Sequence, residues 1–426
     1  MGDDFWFRCM SMAGLVVMFF LAWLLSENKR CVPWRILIWG ALLQFALGII
    51  VLRTRAGHLF FNGVRHAFDL LTAASEEGAA FLFGNLTKFF LIERVYTPGA
   101  DGALVEHQMF PISAVFAFNV LTVIVFVSGI AAVLQHWGII QAIVRAMAWL
   151  MRRTLKTSGA ETFVTALLVF VGIESVSAVH SYVQNMTRSE LFVIMTAFLS
   201  TIAASVMVAY AGFGAEPGHL MAASVMSAPA AIAIAKLMIP ETGVPETTAG
   251  GQFVMPVESE NVFDAAARGS ALGLNMALNV GAVLIVFVGL IFLLDQATIA
   301  VTGLGTTTLM GYLFRPLAFL MGVPMRDVAP LAELLATKTV INEFIAYQSM
   351  QGLIAEEVIS KRTVTIATYA LCGFANPGSL GVLIGGMSAV APERRSEIAK
   401  MSLRALAAGT LAAFTTACIA GILTPE

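Results

Sequence analysis

The chain carries little charge for its length, and that scarcity decides its class. Only 12% of its 426 residues are Asp, Glu, Lys or Arg, and 58% are hydrophobic, whereas an ordinary soluble domain has about 25% charged residues. The net charge of -2 does not provide the basic surface that nucleic-acid binding needs, so no nucleic-acid partner is expected. A mean hydropathy of +0.83 instead indicates a polytopic membrane protein.

Cysteine is scarce as well. The four cysteines, at positions 9, 31, 372 and 418, lie in or beside apolar runs without CxxC or His-rich spacing. We expect them to be small buried hydrophobic residues and predict neither a disulfide framework nor a zinc site.

The sequence also lacks HExxH and GxSxG motifs, which argues against an intramembrane enzyme, and no cofactor is expected. The acidic N-terminus MGDDFWFR has no cleavage-site pattern, so we expect the first apolar run to be a span rather than a removed signal peptide.

Long apolar runs make up most of the chain. A run of about 17–20 residues crosses roughly 30 Å of hydrocarbon, and only helices satisfy their own backbone groups there. The runs are Met12–Leu25, Ile36–Leu52, Ile112–Leu134, Leu191–Tyr210, Leu220–Ile239, Leu274–Leu294, Thr363–Ile384 and Met401–Ile422. Residues 58–90 mix charges with aromatic clusters, which is typical of amphipathic interfacial helices. We predict an all-α polytopic membrane protein with about eight transmembrane helices, interfacial helices and two re-entrant hairpins.

Basic residues set the predicted orientation. Lys29, Arg30 and Arg35 lie between the first two runs, and positive loops stay in the cytoplasm. The N-terminus is therefore predicted outside. The basic stretch APERRSEIAK (391–400) precedes the last run, which predicts that the C-terminus is outside as well.

Two glutamates lie in apolar stretches that are too polar for lipid-facing helices. Glu174 interrupts the stretch from 161 to 182, and Glu343 interrupts that from 331 to 350. An acidic group at membrane depth costs roughly 2.5–3.5 kcal/mol on insertion scales, so both are candidate functional residues in re-entrant hairpins. For Glu174 the alternative is an ion pair that locks the hairpin, with His180 or Arg188 as partner.

The motif Asn376-Pro377-Gly378-Ser379 interrupts a later apolar run. Proline and glycine open the helix there, although a kink without a ligand is also common. Together with Glu343, an amide and a hydroxyl provide the multi-point hydrogen bonding that a vicinal diol needs. Each Glu precedes a broken helix in the same order, which suggests an internal repeat with its site near the membrane midplane.

Several stretches carry a family resemblance over nearly the whole chain: EEGAAFLFGNL (76–86), MTRSELF (186–192), PLAFLMGVP (316–324), KTVINEFIAY (338–347), CGFANPGS (372–379), APERRSEIAKM (391–401) and AGTLAAFTTACIAGIL (408–423). They resemble signature stretches of the concentrative nucleoside transporters. The resemblance implies a homotrimer in the cytoplasmic (inner) membrane that imports nucleosides by symport with a cation. It also implies a scaffold (residues 1–138 and 273–325) and a mobile transport domain (139–272 and 326–426).

The resemblance implies a substrate site with two ends. At the ribose end it places Glu343, Asn376, Ser379 and Phe374. At the base end it implies Glu174, with Val206 packing on the base. Gly172 and Ile173 stand where relatives carry a Gln and a Thr or Ser, and the loss of those polar groups favours acceptance of purine nucleosides.

The sodium site implied by the family is altered. Leu167 stands at the position of an Asn ligand, which leaves Thr201 and the backbone carbonyls of Phe170 and Ile202 as ligands. H+ is therefore favoured over Na+ as the coupling ion, with Glu343 or Glu174 as proton carrier, because burial favours the neutral form of a carboxyl group. The alternatives are Na+ coupling with a different or modified nucleoside and, as another class, a passive channel.

Overall fold

The computed structural model describes residues 2–87, 95–98, 104–107, 116–247 and 259–425, which are almost entirely helical. The first part contains α1 (Gly2–Leu24), α2 (Trp34–Arg53), α3 (Arg55–Phe83), β1 (Val95–Pro98), β2 (Leu104–His107), α4 (Phe116–His136), α5 (Ile139–Leu155), α6 (Gly159–Leu168), α7 (His180–Val183), α8 (Arg188–Ser200), α9 (Ala204–Ala211) and α10 (Pro217–Met238). The second part contains α11 (Val262–Thr302), α12 (Thr306–Leu320), α13 (Val328–Val340), α14 (Glu343–Ala355), α15 (Lys361–Leu371), α16 (Pro377–Val390) and α17 (Arg395–Leu423). Short 3₁₀ segments cover Gly84–Thr87, Ile173–Val179, Met325–Asp327 and Pro392–Arg394.

The number of membrane-crossing elements agrees with the sequence prediction. In the described part, seven helical stretches are long and apolar enough to cross a membrane, and one of them combines α8 with α9. The eighth run is divided into α15 and α16, with 11 and 14 residues, and each half alone is too short to cross. The predicted all-α class with about eight spans is confirmed.

Two elements differ from their predicted form. α11 has 41 residues and is about 60 Å long, twice the apolar run predicted from 274 to 294. Asn261 caps it by accepting hydrogen bonds from the backbone N–H groups of Phe263 and Asp264, so the predicted domain boundary at 272/273 falls inside this helix. The strands β1 and β2, which were not predicted, pair antiparallel with Val95 opposite His107. They contain β-favouring Val, Tyr, Thr and Leu.

The order of elements in the two halves is the same. A broken hairpin (α6 with the following 3₁₀ segment) precedes the broken helix α8/α9, and the hairpin α13/α14 precedes the broken helix α15/α16. The two breaks touch at Gly373, where φ is +144° and an added Cβ would lie 3.0 Å from the carbonyl oxygens of Leu199 and Ser200. Only glycine adopts that backbone conformation readily and leaves room for such a crossing. Both broken helices therefore meet at one point in the protein interior.

Buried charge is more common than the two glutamates suggested. Lys236 of α10 forms ion pairs of 2.8 Å with Glu161 and 2.9 Å with Glu241. The hydroxyl of Ser158, which caps α6, also donates to Glu190 of α8 at 2.5 Å. This network holds the start of the first hairpin against α8 and α10. Sequence reasoning did not predict this network because its charged residues lie at helix ends, where charged side chains are common.

The cysteine prediction is correct in part. All four are free thiols, as expected without a disulfide framework, and Cys372 and Cys418 are buried. Cys9 and Cys31 are exposed, which contradicts the prediction for them. Cys9 lies on the exposed surface of α1, and Cys31 lies in the α1–α2 loop.

Candidate substrate site

One cavity of about 210 Å³ lies beside the crossing of the two broken helices. Its walls come from the first hairpin, α8/α9, the second hairpin, α16 and α11. The predicted site residues that line it are Gly172, Val206, Glu343, Phe374, Asn376 and Ser379. The folded chain thus brings together six residues that are up to 207 positions apart in sequence (379 − 172).

Glu343 is the charged centre of the cavity. It is the first residue of α14 and is only 3% exposed, and the N-terminal end of a helix stabilises negative charge. One carboxylate oxygen accepts a 2.9 Å hydrogen bond from the Tyr210 hydroxyl, and the other accepts a 2.6 Å bond from the Asn376 amide. Both oxygens are therefore oriented before any ligand arrives.

Asn376 connects this carboxylate to the broken helix. Its side-chain oxygen accepts a hydrogen bond of 2.9 Å from the backbone N–H of Ser379, which caps α16. Its amide nitrogen donates to Glu343, so both ends of the side chain are occupied. Among the described residues the Ser379 hydroxyl has no hydrogen-bond partner. The cavity therefore offers a hydroxyl next to a carboxylate whose remaining lone pairs can accept further bonds.

A cluster of aromatic rings packs around the residues next to Glu343. The ring of Tyr210 stacks on that of Tyr347 at a centroid distance of 4.5 Å and meets Phe344 edge-on at 4.8 Å. The Tyr347 hydroxyl donates to the carbonyl of Thr368 at 2.8 Å, which ties the second hairpin to α15. Tyr210 belongs to the run after the first break, so this layer also joins the two halves.

The apolar end of the cavity combines the two broken helices. Phe198 of α8 and Phe374 pack with ring centroids 5.8 Å apart, and Val206 of α9 lies beside them in the cavity wall. Gly172 lines the cavity as the contribution of the first hairpin. The backbone of Ile173 and Glu174 forms the start of a 3₁₀ segment, while their side chains lie outside the described part of the structure.

Arg188, one of the two suggested partners of Glu174, pairs with a different carboxylate. Its guanidinium lies 2.8 Å from Glu27 in the α1–α2 loop. Arg404 of α17 also donates to Glu27. His180 remains the other suggested partner, and its side chain lies outside the described part.

The predicted sodium position lies at the break between α8 and α9. Thr201 and Ile202 belong to the non-helical segment there. The Thr201 hydroxyl donates to the carbonyl of Ala197 at 2.7 Å, and the carbonyl of Ile202 accepts from Ser224 at 3.1 Å. Leu167 is fully buried in α6 and supplies no oxygen from its side chain.

Sequence reasoning missed a partner of Glu343 and two residues that line the cavity. Tyr210 sits in a run that reads as an ordinary span, and nothing in its neighbourhood marks it as a partner of Glu343. Asn275 and Asn279 also line the cavity, from a helix assigned only a scaffold role. Their spacing of four residues places both amides on one helix face, a signal that was available in the sequence.

Three family models match the chain. They are described as the N-terminus of a Na+ dependent nucleoside transporter (residues 13–86), nucleoside recognition or "gate" (117–217) and the C-terminus of a Na+ dependent nucleoside transporter (219–421). Mouse solute carrier family 28 member 3 is 39% identical over 97% of this chain, and the match spans 58% of the mouse protein's length. The uncharacterized transporter YutK of Bacillus subtilis (strain 168) is 39% identical, with 96% of this chain and 98% of YutK covered.

The solved structures lead to the same family. CNTnw in an inward-facing substrate-bound state superposes with a TM-score of 0.88 at 35% identity, covering 98% of this chain and 99% of CNTnw. The chain belongs to the concentrative nucleoside transporter family, which is a family of transporters and not of enzymes.

Proposed function

We propose that this protein imports nucleosides by symport with a cation. The observation that carries this proposal is the two-ended cavity. Its polar corner holds the Glu343 carboxylate and the Ser379 hydroxyl, and its other end is built from the side chains of Phe198, Val206 and Phe374. A ribose diol requires the first kind of surface, and a flat heterocycle packs well on the second.

The proposed assignment of roles follows this geometry. Glu343 accepts hydrogen bonds from ribose hydroxyls, and Asn376 and Ser379 complete the ribose end. Val206 packs on the base, with Gly172, Ile173 and Glu174 near its edge. Phe374, which the family resemblance places at the ribose end, packs against Phe198 and lines the cavity between the two ends. The coupling ion would be H+ or Na+. The family description names Na+, whereas Leu167 favours H+.

We also propose a homotrimer in the cytoplasmic membrane with both termini outside. α11 exposes large apolar side chains such as Ile285 and Phe292, which are 78% and 61% exposed in the single chain. A surface of this kind must contact lipid or another protomer. In this arrangement α4 and α11 belong to the scaffold, and the two hairpins with the broken helices form the transport domain.

The decisive test of transport is counterflow with purified protein in liposomes. Vesicles preloaded with unlabelled nucleoside should transiently accumulate labelled nucleoside above its equilibrium level. A passive channel equilibrates the label without this overshoot. Uptake that never exceeds equilibrium under any imposed ion gradient would refute symport.

We expect purine nucleosides to be accepted at least as well as uridine. Gly172 and Ile173 bring no side-chain donor or acceptor from the first hairpin, so this part of the cavity wall lacks the polar groups that would read a pyrimidine edge and leaves room for a larger, better-stacking base. The double change Gly172→Gln with Ile173→Thr restores an amide and a hydroxyl and should shift the preference toward uridine. Competition of adenosine, guanosine, inosine and uridine for labelled uptake measures this shift.

The control for this change is Gly172→Ala with Ile173→Val, which alters bulk without adding a polar group. It should leave the order of the four nucleosides unchanged. A wild-type protein that binds uridine tightly and ignores all three purine nucleosides would show that the argument from the cavity is wrong. A different or modified nucleoside is the remaining alternative within the same fold.

A further inference from the structure

The wall of the cavity formed by α11 carries two amides. Asn275 and Asn279 line the cavity together with apolar residues of the same face, among them Met276, Val280 and Val283. The spacing of three and four residues places all of them along one stripe of the helix. The stripe faces the ends of the second hairpin and α16 across the cavity.

Both amides are exposed in the single chain and are not used by the described part of the protein. The asparagines on the opposite wall are occupied, because Asn342 caps α14 through Ile345 and Asn376 caps α16 and donates to Glu343. Asn275 and Asn279, by contrast, make no hydrogen bond to any other described residue. An amide without partners in a membrane-embedded helix is unfavourable unless something else satisfies it.

Packing between helices does not explain these asparagines. α11 packs on α4 through Gly269 and Gly273, where an added Cβ would lie 2.5 Å from Ala132 and 2.7 Å from Ser128. Asn275 follows Gly273 by two residues, a rotation of about 200° around the helix. The asparagines thus point away from α4 and toward the cavity.

The position along α11 indicates which part of a ligand they would meet. An added Cβ at Gly378, beside the ribose-binding residues, would lie 3.1 Å from Val283 and 3.7 Å from Phe287. Asn279 precedes Val283 by one helical turn, and Asn275 precedes it by two. They therefore lie away from the ribose end, by about 6 and 12 Å along the helix axis.

We infer that Asn275 and Asn279 form a base-edge subsite, supplied by α11, that hydrogen-bonds the polar edge of the nucleobase. This inference rests on the proposed nucleoside transport. An amide presents one donor and one acceptor group side by side, which matches an exocyclic amino group next to a ring nitrogen. Base selectivity is then set partly by α11, across the cavity from the hairpins.

The test compares ligand pairs that differ only in that amino group. Purified full-length protein in lipid nanodiscs is titrated with adenosine and with purine riboside, which lacks the 6-amino group. Cytidine and its riboside analogue without the 4-amino group form the second pair. For the wild type we expect the amino group to strengthen binding at least five-fold in one pair or both. In Asn279→Leu, or in the double change with Asn275→Leu, we expect this ratio to fall below two-fold.

Matched variants separate recognition from structure. Leu278→Met changes a neighbouring residue of α11 that is not among those lining the cavity and should keep the wild-type ratio. If the leucine variants do not fold, Asn279→Ser supplies a smaller substitution, which should give a reduced ratio. The oligomeric state by light scattering and the melting temperature without ligand are measured for every variant.

The outcomes distinguish the two proposals. A wild type that binds no nucleoside refutes the proposed function itself. The proposed subsite would be wrong, while the proposed transport still holds, if the wild type binds nucleosides with an affinity that does not depend on the amino group. The same conclusion follows if the variants keep the wild-type ratio of affinities. Variants that lose assembly but retain the ratio would assign the asparagines to contacts between protomers instead.

Discussion

Replacing Glu343 by Gln should impair the binding and uptake of every nucleoside, whatever its base. A carboxylate accepts hydrogen bonds on both oxygens, and here one comes from Tyr210 and the other from Asn376. A glutamine accepts on one oxygen only and turns an NH₂ group toward one of these donors. The loss of partners around a desolvated ligand should cost ~1–3 kcal/mol, or roughly five- to 150-fold in affinity.

The variants around Glu343 should form a graded series. Asn376→Ala removes one donor and the cap of α16, and Ser379→Ala removes a hydroxyl that lines the cavity, so both should also weaken the binding of all nucleosides. Tyr210→Phe keeps the ring that stacks on Tyr347 and should cost less, because Asn376 still orients the carboxylate. Equilibrium binding across a panel of purine and pyrimidine nucleosides measures the series.

Glu333→Gln is the matched control, since Glu333 is an exposed glutamate in the first helix of the same hairpin. It should bind nucleosides like the wild type. A loss of two-fold or less in Glu343→Gln would contradict the assignment of Glu343 to the ribose. So would a loss confined to one class of base, because the sugar is common to all of them.

The cavity residues around Glu343 could be predicted from sequence because they violate local rules. Glu343 puts charge into an apolar stretch, and Pro377-Gly378 interrupt a helix beside Asn376. Such violations are most often found at functional sites. The transmembrane spans could be predicted equally well, since the bilayer requires an apolar segment of a minimum length.

The rest of the cavity could not be predicted, because it depends on tertiary packing that has no local signal. Tyr210 becomes a partner of Glu343 only when α9 reaches the second hairpin, 133 positions away (343 − 210). The buried pairing of Lys236 with Glu161 likewise exists only once α10 packs beside α6. Strands β1 and β2 were overlooked because an all-helical expectation was applied to a segment whose composition favours strands.

The largest effect on transport should come from the choice of driving ion. A hard cation such as Na+ requires several oxygen ligands. The predicted position offers only the Thr201 hydroxyl and the backbone carbonyls of Phe170 and Ile202, the last of which also accepts a hydrogen bond from Ser224. The side chains of Leu167 and its neighbour Leu168 are both almost completely buried and contain no oxygen. We therefore expect concentrative uptake in proteoliposomes under an inward proton gradient, unchanged when choline replaces sodium.

Two variants make this expectation specific. Thr201→Val keeps the shape of the side chain and removes only a hydroxyl that bonds its own helix, so proton-driven uptake should persist. Leu167→Asn, or Leu168→Asn, introduces an amide oxygen into the first hairpin. Whichever of the two positions faces Thr201 should then make uptake depend on sodium. Strict sodium dependence of the wild type at constant pH, abolished by Thr201→Val, would reverse the conclusion. It would mean that the threonine and the backbone carbonyls bind Na+ without an amide, because an oxygen that takes part in one hydrogen bond still has a lone pair for a cation.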